Sequence, residues 1–549
     1  MSNEREIIRK TEKLIDDLKS ICSLNGIGNS PSEYKVISQI FLYKYLNDKF
    51  IHEVKRINKN FNDKTTIKEV ELYLNNIEPK DYQILVMKMS PNVARIRKEY
   101  MISYLYNNQN VTNPDFYTLF DNALVGISTD NIDIFSVKTG SKEKIRLFDS
   151  LSQYITETDK KNSFFKAIIN KLVGFSFENA FNEKYDFFAT IFEYLVKDYN
   201  KDFGKYAEYY TPNSIARIIA KILAPNDTRN VTLYDPAAGS GTLLLALAHQ
   251  IGEDNCTIYS QDISQKSNEF LRLNLILNNL VHSLGNVIHG DTLLNPAHLN
   301  LEKNRLAQFD FIVSNPPFKT DFSDTRDKLD SEDYKERFFA GVPNIPNKDK
   351  DSMSIYLLFI QHILFSLKDG GKAAIVVPAG FLTAKTDIEM KIKKYIIDND
   401  FLTHLIQMPP NIFANTGTNV AVMFLEKSSR EKDILFLDAS KLGKKVKSGK
   451  NQRTIFRDFE LEKIVNVALN KVEEQNFSAI SQKKDVIEKN YSLTAGQYYN
   501  FENDIQILSS EDILSSIKYI NEELNKLVLE NLNLSNEIKE DLENYYDIR

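Results

Sequence analysis

The residues best suited to chemistry are Asn315, Pro316, Pro317 and Phe318, which follow the mostly apolar segment 309–314. Two consecutive prolines fix φ and withhold two backbone N–H groups, which leaves rigid, outward-facing carbonyls beside the Asn315 amide. An amide oxygen and a proline carbonyl can together accept both hydrogens of one planar amino group, and an aromatic ring offers a stacking face. The pattern favours a pocket for an exocyclic amino group, such as that of an adenine flipped out of a duplex. The alternative is an ordinary strand-ending turn.

A glycine-rich turn lies earlier in the chain, between a short predicted strand at 231–235 and a helical segment at 242–251. Its candidate ligand-binding residues are Asp235, Ala237, Gly239, Ser240 and Gly241. Glycines permit close approach of the backbone to a ligand, and a helix N-terminus presents N–H groups. No Gly-Lys-Ser/Thr follows, which argues against a loop that binds nucleoside triphosphates. The three-glycine pattern is missing, which argues against a loop that binds dinucleotides. The remaining candidate is a cofactor with a carboxylate and an adenosine, and S-adenosylmethionine fits.

Two further acids, Asp262 and Asp291, stand at the ends of the next two predicted strands. A carboxylate after the second strand of such a fold suits the two hydroxyls of a ribose, so Asp262 is a candidate for that contact. Asp291 is placed to accept from an adenine amino group. For both residues the alternative is a cap on the following helix, a common use of aspartate.

A fourth motif precedes the amphipathic segment 215–223 and contains Tyr209, Tyr210, Thr211 and Pro212. Proline suits the first helical turn, and Thr211 lies near the N-cap. Two aromatic rings and a hydroxyl before a helix are suited to enclosing the methionine end of the cofactor. The alternative is a capped helix with two packing tyrosines.

The order of these motifs resembles that of the amino-methylating DNA methyltransferases, and within them the modification subunit of type I restriction–modification systems. The matching segments are Tyr209–Pro212, Asp235–Gly241, Gln261–Asp262, Gly290–Asp291 and Asn315–Phe318, and the resemblance continues in segments 350–359, 370–382, 408–413 and 416–420. It is strong over about 204–430 and weak in the flanks. One departure is the shorter acid Asp262, where family members often carry glutamate.

The resemblance implies a site-specific, adenine-specific DNA methyltransferase. Asn315 and the Pro316 carbonyl would accept from adenine N6, and the nitrogen would attack the sulfonium methyl of S-adenosylmethionine in line, so that positioning and electrostatics carry the catalysis. Double-stranded DNA with a flipped adenine would be the substrate. A separate specificity subunit, a second copy of the chain and a restriction subunit with motor and nuclease activities would be its partners.

Composition is that of an ordinary soluble protein of several domains. The chain has 549 residues, of which 42% are hydrophobic and 26% charged, and two cysteines that suggest neither a disulfide framework nor a metal site. We predict a cytoplasmic protein, because the N-terminus lacks a signal-like apolar segment and no apolar run reaches about 18 residues. A net charge of −6 is unusual for an enzyme that grips DNA alone, so a partner or a local basic surface is expected to contribute.

Four regions are predicted: an N-terminal helical domain at 1–200, a catalytic domain at 201–430, a mixed extension at 431–500 and a C-terminal helical segment at 501–549. The fold class is α/β, with a seven-stranded, mostly parallel methyltransferase sheet whose last two strands, by the resemblance, are antiparallel. Predicted strands are 231–235, 257–262, 286–290, 309–314, 373–378, 404–408 and 420–426.

Three segments carry further expectations. The polar, charged stretch 319–350 is predicted to be a mobile loop near the base pocket. The basic run Lys441–Lys450 favours a solvated loop over a phosphate contact. Residues 510–545 show a heptad seam of Ile513, Ile517, Ile520, Leu524, Leu527, Leu534 and Ile538, interrupted by Asn531. Intramolecular packing is one use of that seam, and the resemblance implies the other, a helix that joins the coiled coil of the specificity subunit.

Two other function classes remain open. A methyltransferase acting on protein glutamine or RNA shares the Asn-Pro-Pro-aromatic turn, although such enzymes are usually shorter, commonly carry tyrosine, and lack the late Pro-Pro-Asn-Ile-Phe element. A non-catalytic scaffold is disfavoured because every expected active-site position is filled. A nuclease within this chain is also disfavoured, since no convincing nuclease core and no helicase P-loop are found.

Overall fold

The computed structural model divides into two compact units, Met1–Tyr499 and Asn500–Arg549, each described here by itself. The described residues are 2–28, 30–62, 64–139, 144–181, 190–191, 194, 211–224, 228–302, 305–413, 419–428, 432–448, 451–499 and 510–547. Within the described residues, no helix is long and apolar enough to cross a membrane. The finer boundaries at 200 and 430 stay predictions.

The N-terminal part is built mainly from helices, as predicted. They are Ser2–Leu24, Pro31–Ile57, Ile67–Asn76, Pro79–Lys88, Ile102–Asn107, Phe116–Asp130, Ile132–Phe135 and Thr158–Val173. The second of these starts where its sequence favours a start: the Ser30 hydroxyl accepts from Glu33 N at 3.2 Å, and Pro31 occupies the first turn. Its apolar face, including Ile37, Phe41 and Val54, is fully buried in the core.

The strands, numbered along the chain, are β1 Val137–Thr139, β2 Lys144–Ile145, β3 Val231–Asp235, β4 Cys256–Asp262, β5 Val287–His289, β6 Phe309–Ser314, β7 Leu367–Pro378, β8 Leu402–Gln407, β9 Val420–Glu426, β10 Asp433–Asp438, β11 Lys444–Ser448, β12 Asn451–Ile455 and β13 Ser478–Gln482. The main sheet has the order β13-β10-β8-β9-β7-β6-β3-β4-β5-β1-β2, and β11 and β12 form a separate antiparallel pair. Its centre, from β7 to β5, is parallel.

The predicted fold class is confirmed, and the sheet is wider than predicted. All seven predicted strands are present, and β9 runs antiparallel to both β7 and β8. Among the described residues the sheet has eleven strands, because β1 and β2 extend one edge and β10 and β13 extend the other. Strands of two or three residues, such as β2 and β1, are too short to show a two-residue period in sequence.

Alternate residues of the central strands pack into two different cores, one on each face of the sheet. Phe311 and Val313 of β6 belong to the cluster that also contains the N-terminal helices, whereas Ile312 belongs to the cluster on the other face. A sheet covered on both faces requires strands that are apolar at nearly every position, which is the pattern of 309–314. Because both faces of the sheet are covered, side chains that bind a ligand must lie at the strand ends.

Helices follow the strands in the alternating α/β order. They are Asn213–Leu223, Thr242–Ile251, Gln265–Leu277, Tyr356–Ser366, Ala379–Thr383, Asp387–Asp398, Asp458–Asn470 and Lys483–Glu488, with two short helices, Arg326–Leu329 and Glu332–Lys335, after β6. Short 3₁₀ turns occupy Lys98–Tyr100, Leu151–Tyr154, Glu178–Ala180, Glu253–Asn255, Val281–Asn286, Lys350–Ser352 and Ala495–Gln497.

The second unit contains the predicted long helix, which spans Ser510–Asp547. Its seam residues from Ile517 to Ile538 are exposed, with exposed fractions of 51% at Ile517, 57% at Leu524 and 57% at Ile538. An apolar stripe of this length on an exposed helix is typical of a helix that packs against another.

Candidate active site

The carboxyl ends of four neighbouring parallel strands gather the predicted site residues at one edge of the sheet. The order β6-β3-β4-β5 is continuous, and adjacent strands lie about 4.8 Å apart. Asp235 ends β3, Asp262 ends β4, and Ser314 ends β6 directly before Asn315. Ligands of open α/β sheets bind at this edge, so the strand pattern alone places these side chains together.

The turn after β3 needs its glycines. Gly239 has a φ of 53° and Gly241 a φ of 81°, in the left-handed region. A Cβ at Gly241 would lie 2.1 Å from Leu271 Cδ1, so the turn also passes too close to the helix Gln265–Leu277 for any side chain. The Ser240 carbonyl accepts from Asn274 Nδ2 at 2.9 Å, which ties the turn to the same helix.

Asp262 holds the glycine turn as well as lining the site. Its Oδ2 accepts from Gly239 N at 2.8 Å, and its Oδ1 accepts from Ser264 N at 2.7 Å. Burial raises the pKa of this carboxyl, against the opposing effect of the two backbone donors. The carboxylate therefore fixes the distance between the ends of β3 and β4.

Asp235 connects the first strand of the site to the catalytic turn. Its Oδ1 accepts from Ala237 N at 2.9 Å and from Ser314 Oγ at 2.8 Å. Burial raises the pKa of Asp235 to about 7, and the two hydrogen bonds oppose that change. In the part of the chain that the structure describes, neither Asp235 nor Asp262 has an ion-pair partner, so the site favours a cationic ligand.

Asn315 is buried and its side chain is oriented by another predicted motif. Its Nδ2 donates to Thr211 Oγ1 at 3.2 Å, across 104 positions of the chain. With the amino group committed to Thr211, the carbonyl oxygen is the atom of this side chain that can accept from a ligand. This assignment follows from the hydrogen-bond partner, which is how amide orientations are decided.

The remaining residues of the turn differ in their placement. Pro317 lines the main cavity beside Asn315, whereas Pro316 is buried. Phe318 is half-buried and meets the Tyr356 ring edge-on, with centroids 6.4 Å apart. Neither Pro316 nor Phe318 is among the residues that line the cavity.

Asp291 closes a turn and lines the cavity. Its Oδ1 accepts from Leu293 N at 2.8 Å and from Leu294 N at 3.0 Å. The alternative of a helix cap was wrong, because the described residues between β5 and β6 contain no helix, and the contact with an adenine amino group stays a prediction.

The cavity has a volume of about 470 Å³, within the usual range for a small-molecule site. Six of the predicted residues line it: Ala237, Gly239, Asp262, Asp291, Asn315 and Pro317. A smaller adjoining cleft is lined by Thr211, Asp235 and Ser240, and shares Ala237 and Asn315 with the cavity. Asn315 therefore borders both the cavity and the adjoining cleft.

The outer wall of the cavity was not predicted from the sequence. The segment 319–350 is not the plain loop that was expected, because it contains two short helices and a buried apolar cluster, whereas its mobility stays a prediction. Phe322, Leu329, Phe338 and Val342 are buried in a small separate cluster together with Leu293. Apart from the run Phe338–Ala340, the apolar residues of this segment are separated by polar and charged residues, so the sequence shows no regular helix or strand period. Phe322 and Leu329 line the cavity directly.

Two buried polar side chains fasten this wall. Arg337 donates to the carbonyls of Thr292 and Leu293, and burial lowers its pKa to about 10. Gln361 accepts from Ala340 N at 2.8 Å and donates to the Gly341 carbonyl at 3.1 Å. Buried polar groups with these hydrogen bonds hold the segment in one position.

Ile263 is a further lining residue that the motif search passed over. It follows Asp262, lines the cavity and is 69% exposed, although a large aliphatic side chain gains by burial. Its position directly after a strand-end carboxylate is the feature of the sequence from which this role could have been predicted.

The upstream motif lies only partly within the described residues. Tyr209 and Tyr210 fall outside them, as do positions 416–418. Pro212 is the N-cap of the helix Asn213–Leu223, one residue before the predicted first turn. The Thr211 hydroxyl does not cap this helix. It accepts a hydrogen bond from the Asn315 side-chain amide instead, so a tertiary contact replaces the predicted helix cap.

Comparisons with known proteins agree with this arrangement. The family model described as N-6 DNA Methylase matches residues 183–506, more than half of the 549-residue chain. The chain is 31% identical over 365 residues to the type I restriction enzyme MpnII methylase subunit of Mycoplasma pneumoniae, an alignment that covers 65% of this chain and 63% of that relative. It is 26% identical over 532 residues to the MjaIX methylase subunit of Methanocaldococcus jannaschii, covering 93% and 87%.

The fold is also similar to solved structures. A type I restriction–modification methyltransferase subunit from Streptococcus thermophilus superposes with a TM-score of 0.68 at 21% identity, covering 90% of this chain and 100% of that one. The resemblance predicted from the motifs is confirmed by the family model and by these relatives. The strand-end carboxylates, the glycine turn and Asn315 gather at one edge of the sheet, around a cavity and its adjoining cleft, and this chain belongs to the N-6 DNA methylase family.

Proposed function

We propose that this chain transfers a methyl group from S-adenosylmethionine to N6 of adenine in double-stranded DNA, as the modification subunit of a type I restriction–modification complex. One observation carries the proposal: the Asn315 amide, oriented by Thr211, stands at the border of a cavity that contains Asp262 and Asp291. Family membership supports the reaction class, and the names of the relatives support the type I assembly.

The cavity suits S-adenosylmethionine in charge and in size. Asp235 is buried and Asp262 is half-buried, neither acid has an ion-pair partner among the described residues, and the ligand carries a sulfonium and an ammonium group. In this proposal Asp262 accepts from the ribose hydroxyls and Asp291 from the adenine amino group of the cofactor. When bound, the cofactor supplies an electrophilic methyl group on sulfur.

The catalytic turn suits a planar amino group as the nucleophile. Asn315 Oδ1 and the Pro316 carbonyl would accept its two N–H groups, which would raise the electron density on the nitrogen. A bound methyl donor would supply the methyl group to that nitrogen and leave as the neutral thioether, and the cationic nitrogen would then release a proton to water. The reaction needs neither a strong base before the attack nor a nucleophilic cysteine, and Cys22 and Cys256 are both buried.

Fixed geometry is what this chain contributes to that step. Ser314, adjacent to Asn315, donates to Asp235, and the wall of Phe322 and Leu329 closes the outer side of the cavity. Holding the acceptor oxygen in one place lowers the entropic part of the barrier. Protein amides and RNA amines present the same planar amino group, and a labelling experiment distinguishes these substrates from DNA.

Labelled methyl transfer tests the proposal and separates the alternatives. The chain, co-purified with the specificity subunit that the proposal requires, is incubated with methyl-tritiated S-adenosylmethionine and with DNA, RNA or protein. Label on DNA adenine is expected. Asn315→Ala should lose transfer by at least about 1000-fold, an oxyanion-hole-sized effect, and still bind cofactor. The matched control Asn466→Ala, at an exposed helix position, should transfer normally. Label in RNA or protein, or full turnover by Asn315→Ala, would overturn the proposal.

A further inference from the structure

A basic β-hairpin lies at the same edge of the sheet as the active site. It consists of β11 and β12, which pair in register from Lys444 opposite Ile455 to Ser448 opposite Asn451. A solvated loop was expected here. The lysines are exposed, but the prediction of a loop was wrong, because the segment forms a paired strand. The polar, unpatterned residues of 441–450 give no two-residue period to reveal it.

The hairpin concentrates positive charge in an acidic protein. The segment 439–456 contains the six basic residues Lys441, Lys444, Lys445, Lys447, Lys450 and Arg453, and it contains no aspartate or glutamate. The whole chain has 69 basic and 75 acidic side chains. A DNA-binding protein with a net charge of −6 is expected to have a local basic surface, and this segment is a candidate for it.

Strand directions place the hairpin beside the site. Strand β10 runs parallel to β8, so both end at the edge where β3 and β6 end. The Ala439 N–H donates to the Gln407 carbonyl at 2.9 Å, which fixes the exit from β10. The hairpin begins five residues after that exit, at Lys444.

Contacts at its base hold the hairpin in position. Thr454 is 3% exposed, and its N–H donates to the Asn411 carbonyl at 2.9 Å while its hydroxyl donates to the Pro410 carbonyl at 2.7 Å. Gly443 N donates to Glu460 Oε1 at 3.0 Å. These bonds anchor the hairpin to the Pro-Pro-Asn loop after β8, so that it presents its lysines from a fixed base.

Three lysines of this hairpin have no acidic partner in the described part of the chain. Lys444, Lys445 and Lys447 are exposed, and over the described ranges none of them forms an ion pair. Lys368 and Lys427, by contrast, pair with Asp310 at 2.7 Å and with Asp369 at 3.7 Å. The charges of the hairpin are therefore available to an external anion.

The distance from the catalytic turn fits a duplex lying across this edge. Four strand spacings separate β6 from β10, which at about 4.8 Å each gives roughly 19 Å. A DNA strand covers that length in about six base pairs, at 3.4 Å each. A duplex with one adenine in the cavity would therefore reach the hairpin with its phosphates.

We propose that the β11–β12 hairpin binds the phosphate backbone of double-stranded DNA beside the methylation site, through Lys444, Lys445 and Lys447. The proposal rests on the proposed function, because it takes DNA as the substrate. Its contacts are with phosphates and carry no sequence information, so they would add affinity and register while specificity resides elsewhere. Each phosphate neutralised adds about 0.9 to the slope of log binding constant against log salt.

The test measures that slope for matched variants of the assembled complex. Lys445→Ala/Lys447→Ala removes two charges that lie two residues apart on one strand. Arg229→Ala/Lys432→Ala removes two exposed charges located just before β3 and β10, at the opposite edge. Binding of a duplex containing the recognised site is titrated between 50 and 300 mM salt by fluorescence anisotropy, and methyl transfer by the wild type is measured on the same preparation.

The hairpin variant should lose about 1.8 from the slope if both lysines contact phosphates, while the control pair keeps the wild-type slope. Equal slopes for all three proteins would overturn the hairpin proposal, provided that the wild type methylates DNA. Loss of subunit association by the hairpin variant at an unchanged slope would also overturn it, since the hairpin would then bind a protein. A wild type that methylates no DNA would refute the proposed function itself.

Discussion

The amide Nδ2 of Asn315 donates to Thr211 Oγ1 over 3.2 Å, which joins the catalytic turn to the start of the helix Asn213–Leu223. The two residues are 104 positions apart and come from motifs that serve different ligands in our proposal. Because an amide can rotate by half a turn at little cost in shape, one such bond decides whether oxygen or nitrogen faces the substrate. Thr211 is therefore a positioning residue for Asn315.

Thr211→Val should lower kcat about tenfold, because the loss of one hydrogen bond of roughly 1.4 kcal/mol allows the amide to rotate out of the accepting orientation. Cofactor affinity should change much less than kcat, since valine preserves the shape of threonine. Thr211→Ser keeps the hydroxyl and should keep most of the activity. Steady-state kinetics and cofactor titration check this, and equal loss in both variants would point to packing alone.

Asp235 should make stability depend on pH. Burial raises its pKa to about 7, above the value near 3.9 of an unfolded aspartate, so between these pH values the folded protein holds a proton that the unfolded protein has released. Its contribution to the free energy of unfolding falls as pH rises through that interval, by up to about 4 kcal/mol. Asparagine at position 235 cannot ionise. The melting temperature of Asp235→Asn minus that of the wild type should therefore increase as the pH is raised from 5 to 8.

Melting temperatures of the cofactor-free proteins across that pH range provide the measurement for Asp235. Asp159→Asn, at an exposed position, serves as the control and should follow the wild-type curve. Parallel curves for Asp235→Asn and the wild type would show that Asp235 is already ionised at pH 5.

Arg272 fastens the N-terminal part to the sheet. Its guanidinium donates to the carbonyls of Phe135, Ile145 and Arg146 at distances from 2.6 to 3.3 Å, and the side chain is buried. Arg272→Met would leave these acceptors without a donor and should cost roughly 3 kcal/mol or more. Thermal unfolding and proteolysis within 132–148 check it, with the exposed Arg229→Met as the control. An unchanged melting temperature would contradict this role.

The exposed seam of the helix Ser510–Asp547 should be required for assembly. Truncation after Phe501 is expected to abolish co-purification with the specificity subunit and to preserve cofactor binding. Leu524→Asp/Leu527→Asp should act like the truncation, since both residues are more than half exposed in the chain alone and a charge in a packed seam is costly. Asn525→Asp/Asn533→Asp adds the same charge outside the seam and should assemble normally. Assembly by the leucine variant would exclude the seam as the interface.

The sequence was sufficient for features that follow from strand ends. Asp235, Asp262 and Asn315 were predicted together because parallel strands bring their carboxyl ends to one edge, and the structure places them there. The Thr211–Asn315 contact could not be predicted, since it joins distant segments through side-chain direction.

Two other features were beyond sequence reasoning for related physical reasons. In the wall around Phe322 and Phe338, the apolar residues follow no regular spacing in the sequence. Their packing depends on tertiary hydrogen bonds of Arg337 and Gln361, which cannot be read from the sequence. The edge strands β1 and β2 are too short to carry a period and exist because β5 offers a free edge to pair with.

The central claim is adenine methylation that depends on Asn315, and modification-sensitive long-read sequencing tests it most directly. A methylation-free host would express the chain together with the neighbouring specificity subunit, or the Asn315→Ala variant in the same arrangement. We predict N6-methyladenine at one bipartite motif with the wild type and none with the variant. Soluble, associated subunits that leave every adenine unmethylated would contradict the account.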